Sequence, residues 1–195
     1  MGQPKPALRF GNETLIQRTV ARVRRAFDDI VVVIAPEAEA LGMPKLENVT
    51  IVRDDVPYAG PVGALARGLR AARHDIAFAC SCDLPMLQAE VASWIVSMLN
   101  ERPEYDAVIA KIEGRLQPLH AAYRRRCAVA LEEMAARGEN RLSAIAENVK
   151  ARVVYEAEYR RHDPGALSCF NINTPADYAL ALELARRRSP EQDGG

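Results

Sequence analysis

The sequence predicts an α/β fold with a mostly parallel sheet and helices on both faces. Two observations carry this prediction. Apolar runs of strand length alternate with helical patterns along the chain, which is the order typical of parallel sheets. The run at 30–35 is apolar throughout and β-branched except for Ala35, and the run at 76–82 is mostly apolar, as expected of strands covered on both faces. We predict one domain over residues 1–188 and a disordered polar tail over residues 189–195.

The first half of the chain divides regularly into helices and strands. Leu15, Val20 and Val23 lie along one side of the first predicted helix. Pro61 stands near the first turn of the second helix, where its missing N–H costs nothing, and Pro103 stops the third. The predicted elements are helix 14–27, strand 30–35, strand 49–53, helix 60–73, strand 76–82, helix 88–101 and strand 106–111.

The second half is less regular. Gly138 stops one predicted helix, and Thr174 and Pro175 begin the last one as its cap and first residue. The predicted elements are strand 119–123, helix 124–137, helix 141–148, strand 152–155, strand 167–172 and a final helix that ends near residue 187.

Composition narrows the class of protein. The chain has 26 basic and 26 acidic residues, so its neutral charge gives no general attraction to nucleic acid or to an anionic membrane. It contains no apolar run of about 18 residues, and its first residues do not resemble a secretory leader. The four cysteines lack disulfide or zinc spacing and are best interpreted as reduced thiols. We therefore expect a cytoplasmic protein that binds neither nucleic acid nor a membrane.

Asp83 is the most informative residue. It follows the apolar run at 76–82, and Pro85 prevents regular continuation of the strand. In an open parallel sheet, ligands bind beyond the carboxyl ends of the strands. One carboxylate at such a position suits Mg²⁺, which prefers oxygen ligands and keeps several waters. The alternative is that Asp83 caps the next helix.

Three further positions could meet a nucleotide. Lys5, which follows Gly2 in a loop-like segment, could neutralise phosphate charge, or it could simply be solvated. Asp54 follows a strand and could accept hydrogen bonds from a base or a ribose, or cap a helix. Gly60 and Pro61 could let backbone amides at a helix start approach an anion, although an ordinary turn explains them equally well.

Asn171 and Asn173 form the last candidate pair. Because they are two residues apart on a segment predicted to be extended, their side chains point the same way and could bind one ligand. The alternative is that they only fix the turn before the final helix. The three histidines lack metal spacing, and the serines lack a nucleophile setting.

These motifs, taken together, resemble the molybdenum cofactor guanylyltransferases, a family of the Rossmann-like nucleotidyltransferase superfamily. The resemblance covers nearly the whole chain. Asp83-Leu84-Pro85 favours the guanine branch, since the cytidylyltransferase relatives usually carry Asp-Gln-Pro. The motifs in order are Gly2…Lys5, Asp54, Gly60-Pro61, Cys82-Asp83-Leu84-Pro85, Gln117-Pro118-Leu119, Gly138-Glu139-Asn140-Arg141 and Asn171-Ile172-Asn173-Thr174-Pro175.

The resemblance implies a fold, a reaction and a set of site residues. It implies a three-layer Rossmann-like nucleotidyltransferase that uses Mg²⁺ to transfer GMP from GTP to molybdenum-bearing molybdopterin. Asp83 would hold the metal and, with Lys5, form the catalytic pair. The implied nucleotide-binding residues are Gly2, Lys5, Asp54, Gly60, Pro61 and Asp83, and the implied acceptor-binding residues are Arg141, Asn171 and Asn173. Other proteins of molybdenum cofactor synthesis would be possible partners.

One departure from the family pattern concerns the start of the chain. Members of the family usually begin with a strand and a glycine-rich loop, whereas this sequence starts after both. The resemblance therefore predicts a gap in the sheet at the position of a central strand. Two alternatives stay open: a nucleotidyltransferase with another base or acceptor, and a truncated, non-catalytic paralogue that binds nucleotide.

Overall fold

The computed structural model describes residues 5–35, 42–54 and 60–188, in which strands and helices alternate as the sequence predicts. Gly2 and the predicted tail at 189–195 lie outside the described residues. The elements are β1 (Arg9–Phe10), β2 (Glu13–Thr14), α1 (Leu15–Val23), β3 (Val31–Ile34), β4 (Thr50–Arg53), α2 (Gly60–Ala71), β5 (Ile76–Cys80), α3 (Ala89–Asn100), β6 (Ala107–Ile112), β7 (Arg115–Arg124), α4 (Cys127–Ala136), α5 (Ile145–Asn148), β8 (Ala151–Tyr155), α6 (Glu156–Tyr159) and α7 (Pro175–Arg188).

The α/β fold is confirmed, with a sheet that is mixed. One four-stranded sheet has the order β5-β7-β6-β8, and a separate pair consists of β3 and β4. β7 runs antiparallel to both of its neighbours, whereas β6 and β8, and β3 and β4, are parallel pairs. The antiparallel strand arises because Glu113 and Gly114 both have positive φ, as two-residue hairpin turns require.

β3 and β5 lie side by side without pairing. The segments that lead into them meet, since the Arg73 guanidinium is 3.0 Å from the Asp29 carboxylate and His74 is 3.3 Å from Asp28. The two strands therefore start at the same edge and run in the same direction. Among the described residues no strand lies between them.

Helices cover both faces of the four-stranded sheet. One apolar cluster joins α2 and α4 to alternate residues of β6 and β7, including Ile109 and Tyr123. A second cluster joins α3 and α6 to the other face, including Val108 and Ala122. A third cluster packs α1 against β3 and against the loop that follows β5. No helix in the described parts of the chain is long and apolar enough to span a membrane.

The predicted strand at 167–172 is wrong. The chain there makes a short 3-10 turn, Leu167–Cys169, followed by irregular backbone. Two local features explain this: Ala166 has left-handed backbone, and the buried Asp163 carboxylate accepts a hydrogen bond of 2.7 Å from the Ser168 amide. A side chain that binds nearby backbone in this way competes with strand pairing.

His120, on β7, gives the fold a pH dependence. It is buried, and its Nε2 lies 2.8 Å from the Tyr159 hydroxyl. Burial lowers the pKa of His120 from 6.5 to about 3. The unfolded chain therefore binds a proton that the folded protein does not, so stability is lost as pH falls below about 6.5.

We expect the free energy of unfolding to fall between pH 7.5 and pH 5, with His120 contributing about 2 kcal/mol of that loss. Urea denaturation of the wild type and of His120→Gln at both pH values measures it. The variant should lose about 2 kcal/mol less than the wild type over this interval. Equal losses in the two proteins would contradict the assignment to His120.

Candidate functional site

Asp83 occupies a loop beyond the carboxyl end of β5. Its carbonyl accepts a hydrogen bond of 3.0 Å from the Ile172 amide, so this loop is tied to the segment before α7. The Ser81 hydroxyl donates to Asp83 Oδ1. The carboxylate side chain is 14% exposed, so it is reachable from solvent while its neighbours hold its orientation.

One side of α1 holds the same loop. The sequence forms α1 because Thr14 and Gln17 make a capping box and the apolar side packs on β3. Its polar side chains then donate to carbonyl oxygens of the loop: Arg18 Nε to Pro85 at 2.8 Å, and Thr19 Oγ1 to Cys82 at 3.2 Å. Backbone groups that lack a strand partner are satisfied here by side chains, and this fixes the loop.

Lys5 joins the start of the chain to Asp83. Its ammonium group lies 2.8 Å from Asp83 Oδ2 and donates a hydrogen bond of 2.9 Å to Asn173 Oδ1. The Lys5 side chain is 37% exposed. A pair this exposed contributes little to stability, so its main effect is to keep a positive charge at the carboxylate.

Asn173 belongs to the cap of α7. The Asp177 carboxylate accepts hydrogen bonds from the amides of Asn173 at 3.0 Å and Thr174 at 2.7 Å. These backbone hydrogen bonds lower the pKa of Asp177. The Thr174 hydroxyl in turn accepts from the Asp177 amide at 3.1 Å. The turn before α7 is therefore fixed by hydrogen bonds, and Asn173 also reaches Lys5 of the Lys5–Asp83 pair. Binding of one ligand by the two asparagines stays a prediction.

A cavity of about 390 Å³ opens beside Asp83. It brings together several residues that the sequence singled out, and Leu142 and Ser143 also line it. The sequence-predicted residues in its lining are Pro61, Asp83, Leu84, Gln117, Pro118, Leu119, Asn171 and Asn173. Arg141 is not in the lining, and its guanidinium lies 3.7 Å from Glu139. Its assignment to the acceptor stays a prediction.

Asp54 follows β4 and is 7% exposed. Its amide donates 2.8 Å to the Ile34 carbonyl, which extends the β3–β4 ladder, and its carboxylate lies 3.0 Å from Arg67 Nε on α2. Gly60 begins α2 with a φ of 72°, a conformation that favours glycine. Asp54 is therefore oriented by α2, the helix whose first turn carries Pro61 to the cavity.

The titratable groups near the cavity do not suit acid–base chemistry at neutral pH. Burial, helped by the neighbouring Asp83 carboxylate, raises the pKa of Cys82 to about 11, so the thiol stays protonated. His120 stays neutral because burial lowers its pKa. Across the described residues, no three His, Cys, Asp or Glu side chains form a complete metal site. The side chains around the cavity can therefore contribute fixed charges and hydrogen bonds to a bound molecule.

Sequence reasoning missed two parts of this site. Ser81 lies two residues before Asp83, and this period-two spacing is the signal that could have found it. The donors on α1 had no such signal, because their carbonyl partners are more than 60 residues away along the chain.

Comparisons with known proteins agree with this architecture. Residues 1–154 match the profile of the MobA-like NTP transferase domain. The molybdenum cofactor guanylyltransferase of Desulfosudis oleivorans is 29% identical over 168 residues, covering 86% of this chain and 80% of that protein.

Two solved structures show the same fold. Molybdopterin-guanine dinucleotide biosynthesis protein A from Archaeoglobus fulgidus has a TM-score of 0.81 at 23% identity, covering 95% of this chain and 92% of its own. The 2-C-methyl-D-erythritol 4-phosphate cytidylyltransferase of Thermus thermophilus has a TM-score of 0.68 at 19% identity, covering 94% of each chain.

Proposed function

Because the chain belongs to the MobA-like NTP transferase domain family, we propose that it transfers GMP from GTP to molybdenum-bearing molybdopterin and releases pyrophosphate. One observation carries the proposal: Asp83, which is paired with Lys5, lines a cavity that Asn171 and Asn173 also line. A relative named as a molybdenum cofactor guanylyltransferase supports the choice of donor and acceptor.

The residues present fit a magnesium ion carried in with the nucleotide. Asp83 supplies one partly exposed carboxylate, and Mg²⁺ commonly takes one or two carboxylates, several waters and phosphate oxygens. When bound, the ion supplies charge neutralisation on the phosphates. Ser81 orients the carboxylate by donating to Oδ1, which leaves Oδ2 as the oxygen that Lys5 shares.

The chain's own groups then act by alignment. An oxygen of the acceptor's terminal phosphate forms a bond to the α-phosphorus of GTP. The bond from that phosphorus to the bridging oxygen breaks, and pyrophosphate leaves with the electron pair. The attacking phosphate is already ionised near neutral pH, so a general base is not needed, in keeping with the neutral Cys82 and His120. Lys5 stabilises the charge that grows on the leaving group.

Asp54 is the proposed contact for the base. A buried carboxylate accepts hydrogen bonds from the amino and imino groups of guanine. Arg67, at 3.0 Å, holds the carboxylate from the α2 side. Gly60 and Pro61, at the start of the same helix, shape the nucleotide pocket, and Gly2 is proposed to approach the phosphates.

Asp83→Asn tests the metal assignment. The substitution keeps the shape and one acceptor oxygen but removes the charge, so folding should be unchanged and GMP transfer should fall by at least about 3 kcal/mol of transition-state stabilisation, or a hundredfold. The measurement is the rate of pyrophosphate release at saturating GTP and Mg²⁺, with the melting temperature as a control for folding. Activity within threefold of wild type would overturn the role of Asp83.

Lys5→Met tests how the ammonium group and a metal share Asp83. Because Lys5 lies 2.8 Å from Oδ2, its removal should strengthen Mn²⁺ binding to the nucleotide-free protein. The expected gain is about three- to fivefold, the equivalent of a partly exposed ion pair. Affinity for GTP should fall in the same variant, since a phosphate contact is lost.

Electron paramagnetic resonance of free Mn²⁺ measures the metal affinity directly. Lys150→Met is the matched control, because Lys150 lies beside Asp106 at the opposite edge of the sheet, where β6 begins. Unchanged or weaker Mn²⁺ binding in Lys5→Met would show that Lys5 and a metal do not compete for the carboxylate.

Base selection tests Asp54. GTP should outcompete CTP and ATP in steady-state competition, since guanine is the base that offers both an amino and an imino donor to one carboxylate. Asp54→Ala should weaken this preference more than it weakens Mn²⁺ binding. Arg67→Gln serves as the control: it removes the ion pair but keeps the carboxylate, so the preference should persist. A preference of the wild type for CTP would move the protein to cytidylyl transfer.

A further inference from the structure

A β-bulge in β7 lies beside the cavity of about 390 Å³. Ile109 of β6 is opposite Ala121 of β7, and Lys111 is opposite Leu116. Over this interval β6 advances two residues and β7 advances five, so the segment 117–120 contains three residues more than the pairing with β6 needs. Bulges are frequent next to binding sites, where they change the direction of a side chain.

The sequence explains where the bulge forms. Proline has no amide hydrogen, so in a strand with neighbours on both sides it is tolerated where the pairing is interrupted. Pro118 is the proline of β7, and it lies in the bulge. Its carbonyl accepts a hydrogen bond of 2.8 Å from the hydroxyl of Tyr123, which is fully buried. A buried phenol thus satisfies a carbonyl that the bulge has removed from the pairing with β6, and it fixes the bulge.

Gln117 is the residue of the bulge that can still bind a ligand. All four residues of the segment 117–120 line the cavity, and two of them, Gln117 and His120, are polar. The Nε2 of His120 is already bonded to the Tyr159 hydroxyl. The Gln117 amide nitrogen makes a single long hydrogen bond of 3.4 Å, to the Arg115 carbonyl, and among the described residues the amide oxygen accepts none. Most of the hydrogen-bonding capacity of this amide is therefore available at the cavity wall.

The position of the bulge relative to Asp83 indicates which substrate it meets. β7 lies on one side of β5, and β3 lies on the other. Asp54, the proposed contact for the base, follows β4, the partner of β3. The base and the bulge therefore lie on opposite sides of Asp83. The acceptor occupies the side that the nucleotide leaves free, which is the side of the bulge.

The lining of the cavity fits a flat heterocycle with polar edges. Pterin has apolar ring faces and, along one edge, a ring N–H next to a carbonyl. A primary amide presents an N–H and a carbonyl at the same spacing, so it can exchange two hydrogen bonds with such an edge, as glutamine does with adenine. The apolar lining that could meet the ring faces consists of leucines and prolines, including Leu84, Leu116, Leu119 and Leu142.

We propose that Gln117 binds the pterin of the acceptor, accepting from the ring N–H with its amide oxygen and donating to the adjacent carbonyl with its amide nitrogen. Tyr123 is a positioning residue, because its hydrogen bond to Pro118 fixes the bulge that presents Gln117. The inference rests on the proposed function, since it takes the acceptor to be a pterin that bears a phosphate. The phosphate end of the acceptor lies at Asp83, and the ring lies at Gln117.

Binding of a fluorescent pterin tests the proposal without GTP and without transfer. The probe is 6-hydroxymethylpterin phosphate, and the comparison probe is its 3-methyl derivative, in which a methyl group replaces the ring N–H. The wild type should bind the first probe at least about tenfold more tightly than the second, because the derivative leaves the Gln117 oxygen without a donor. In Gln117→Leu this ratio of affinities should fall below about threefold.

Two further variants separate recognition from structure. Tyr123→Phe keeps the buried ring but leaves the Pro118 carbonyl without its donor, so the ratio of affinities should fall toward that of Gln117→Leu. A purely structural role of Tyr123 would lower the melting temperature and leave the ratio unchanged. Arg115→Gln is the matched control, because Arg115 is exposed, lies two residues before Gln117 on β7 and is outside the cavity lining. Its ratio should equal that of the wild type.

Steady-state kinetics connect the binding result to the reaction. Gln117→Leu should raise the KM for molybdopterin about tenfold and change the KM for GTP much less. No measurable binding of the first probe to the wild type, or an equal ratio in the wild type and Gln117→Leu, would overturn the role of Gln117. An unchanged ratio in Tyr123→Phe would overturn the positioning role of Tyr123. Discrimination between the probes without GMP transfer by the wild type would instead overturn the proposed reaction and uphold the pterin site.

Discussion

β7 holds the larger sheet together, because it pairs with β5 along one edge and with β6 along the other. Its register with β5 runs from Ile76 opposite Arg124 to Cys80 opposite His120, and this fixes where β5 ends. The position of Asp83 follows from that ending. The loop beyond β5 is then held by side chains of α1 and by the Ile172 amide, so the carboxylate has few ways to move. The tight hairpin between β6 and β7 allows β7 to run antiparallel to its neighbours in a sheet whose other strands are parallel to one another.

The chemistry of the site depends on charge placement. Lys5, Asp83 and Asn173 come from three distant parts of the chain, and they meet within 3 Å. The Lys5 side chain is 37% exposed and that of Asp83 is 14% exposed, so the contribution of the pair to stability is small. Its value in the proposed function is that a cation and a carboxylate lie together at the proposed phosphate site. Groups that could act as bases are kept uncharged or protonated by burial. Transfer between two phosphates asks for this kind of site, since its difficulty is the repulsion and alignment of anions.

The sequence predicted the fold well because its strands and helices have strong, local signals. The β-branched run of β3 and the Thr174-Pro175 start of α7 need no knowledge of the rest of the chain. It failed at 167–172, where Asp163 binds the backbone of a segment that is apolar enough for a strand. For the site, Asp83 and Asn173 could be predicted from motifs. Their meeting with Lys5 could be expected only from family resemblance, since contacts across 78 and 168 residues leave no periodic trace. The pairing of Asp54 with Arg67 was likewise not predictable, because nothing local marks which residue of α2 faces β4.

The cavity of about 580 Å³ between β3 and β5 and the candidate site share one strand, β5. β5 has β7 on one edge and, among the described residues, an apolar cavity on the other, while its carboxyl end carries Asp83. Strand edges without partners open more easily than paired ones, since fewer hydrogen bonds must break for the backbone to move. The precision with which Asp83 meets Lys5 therefore depends on what occupies the space between β3 and β5, although that space lies behind the site.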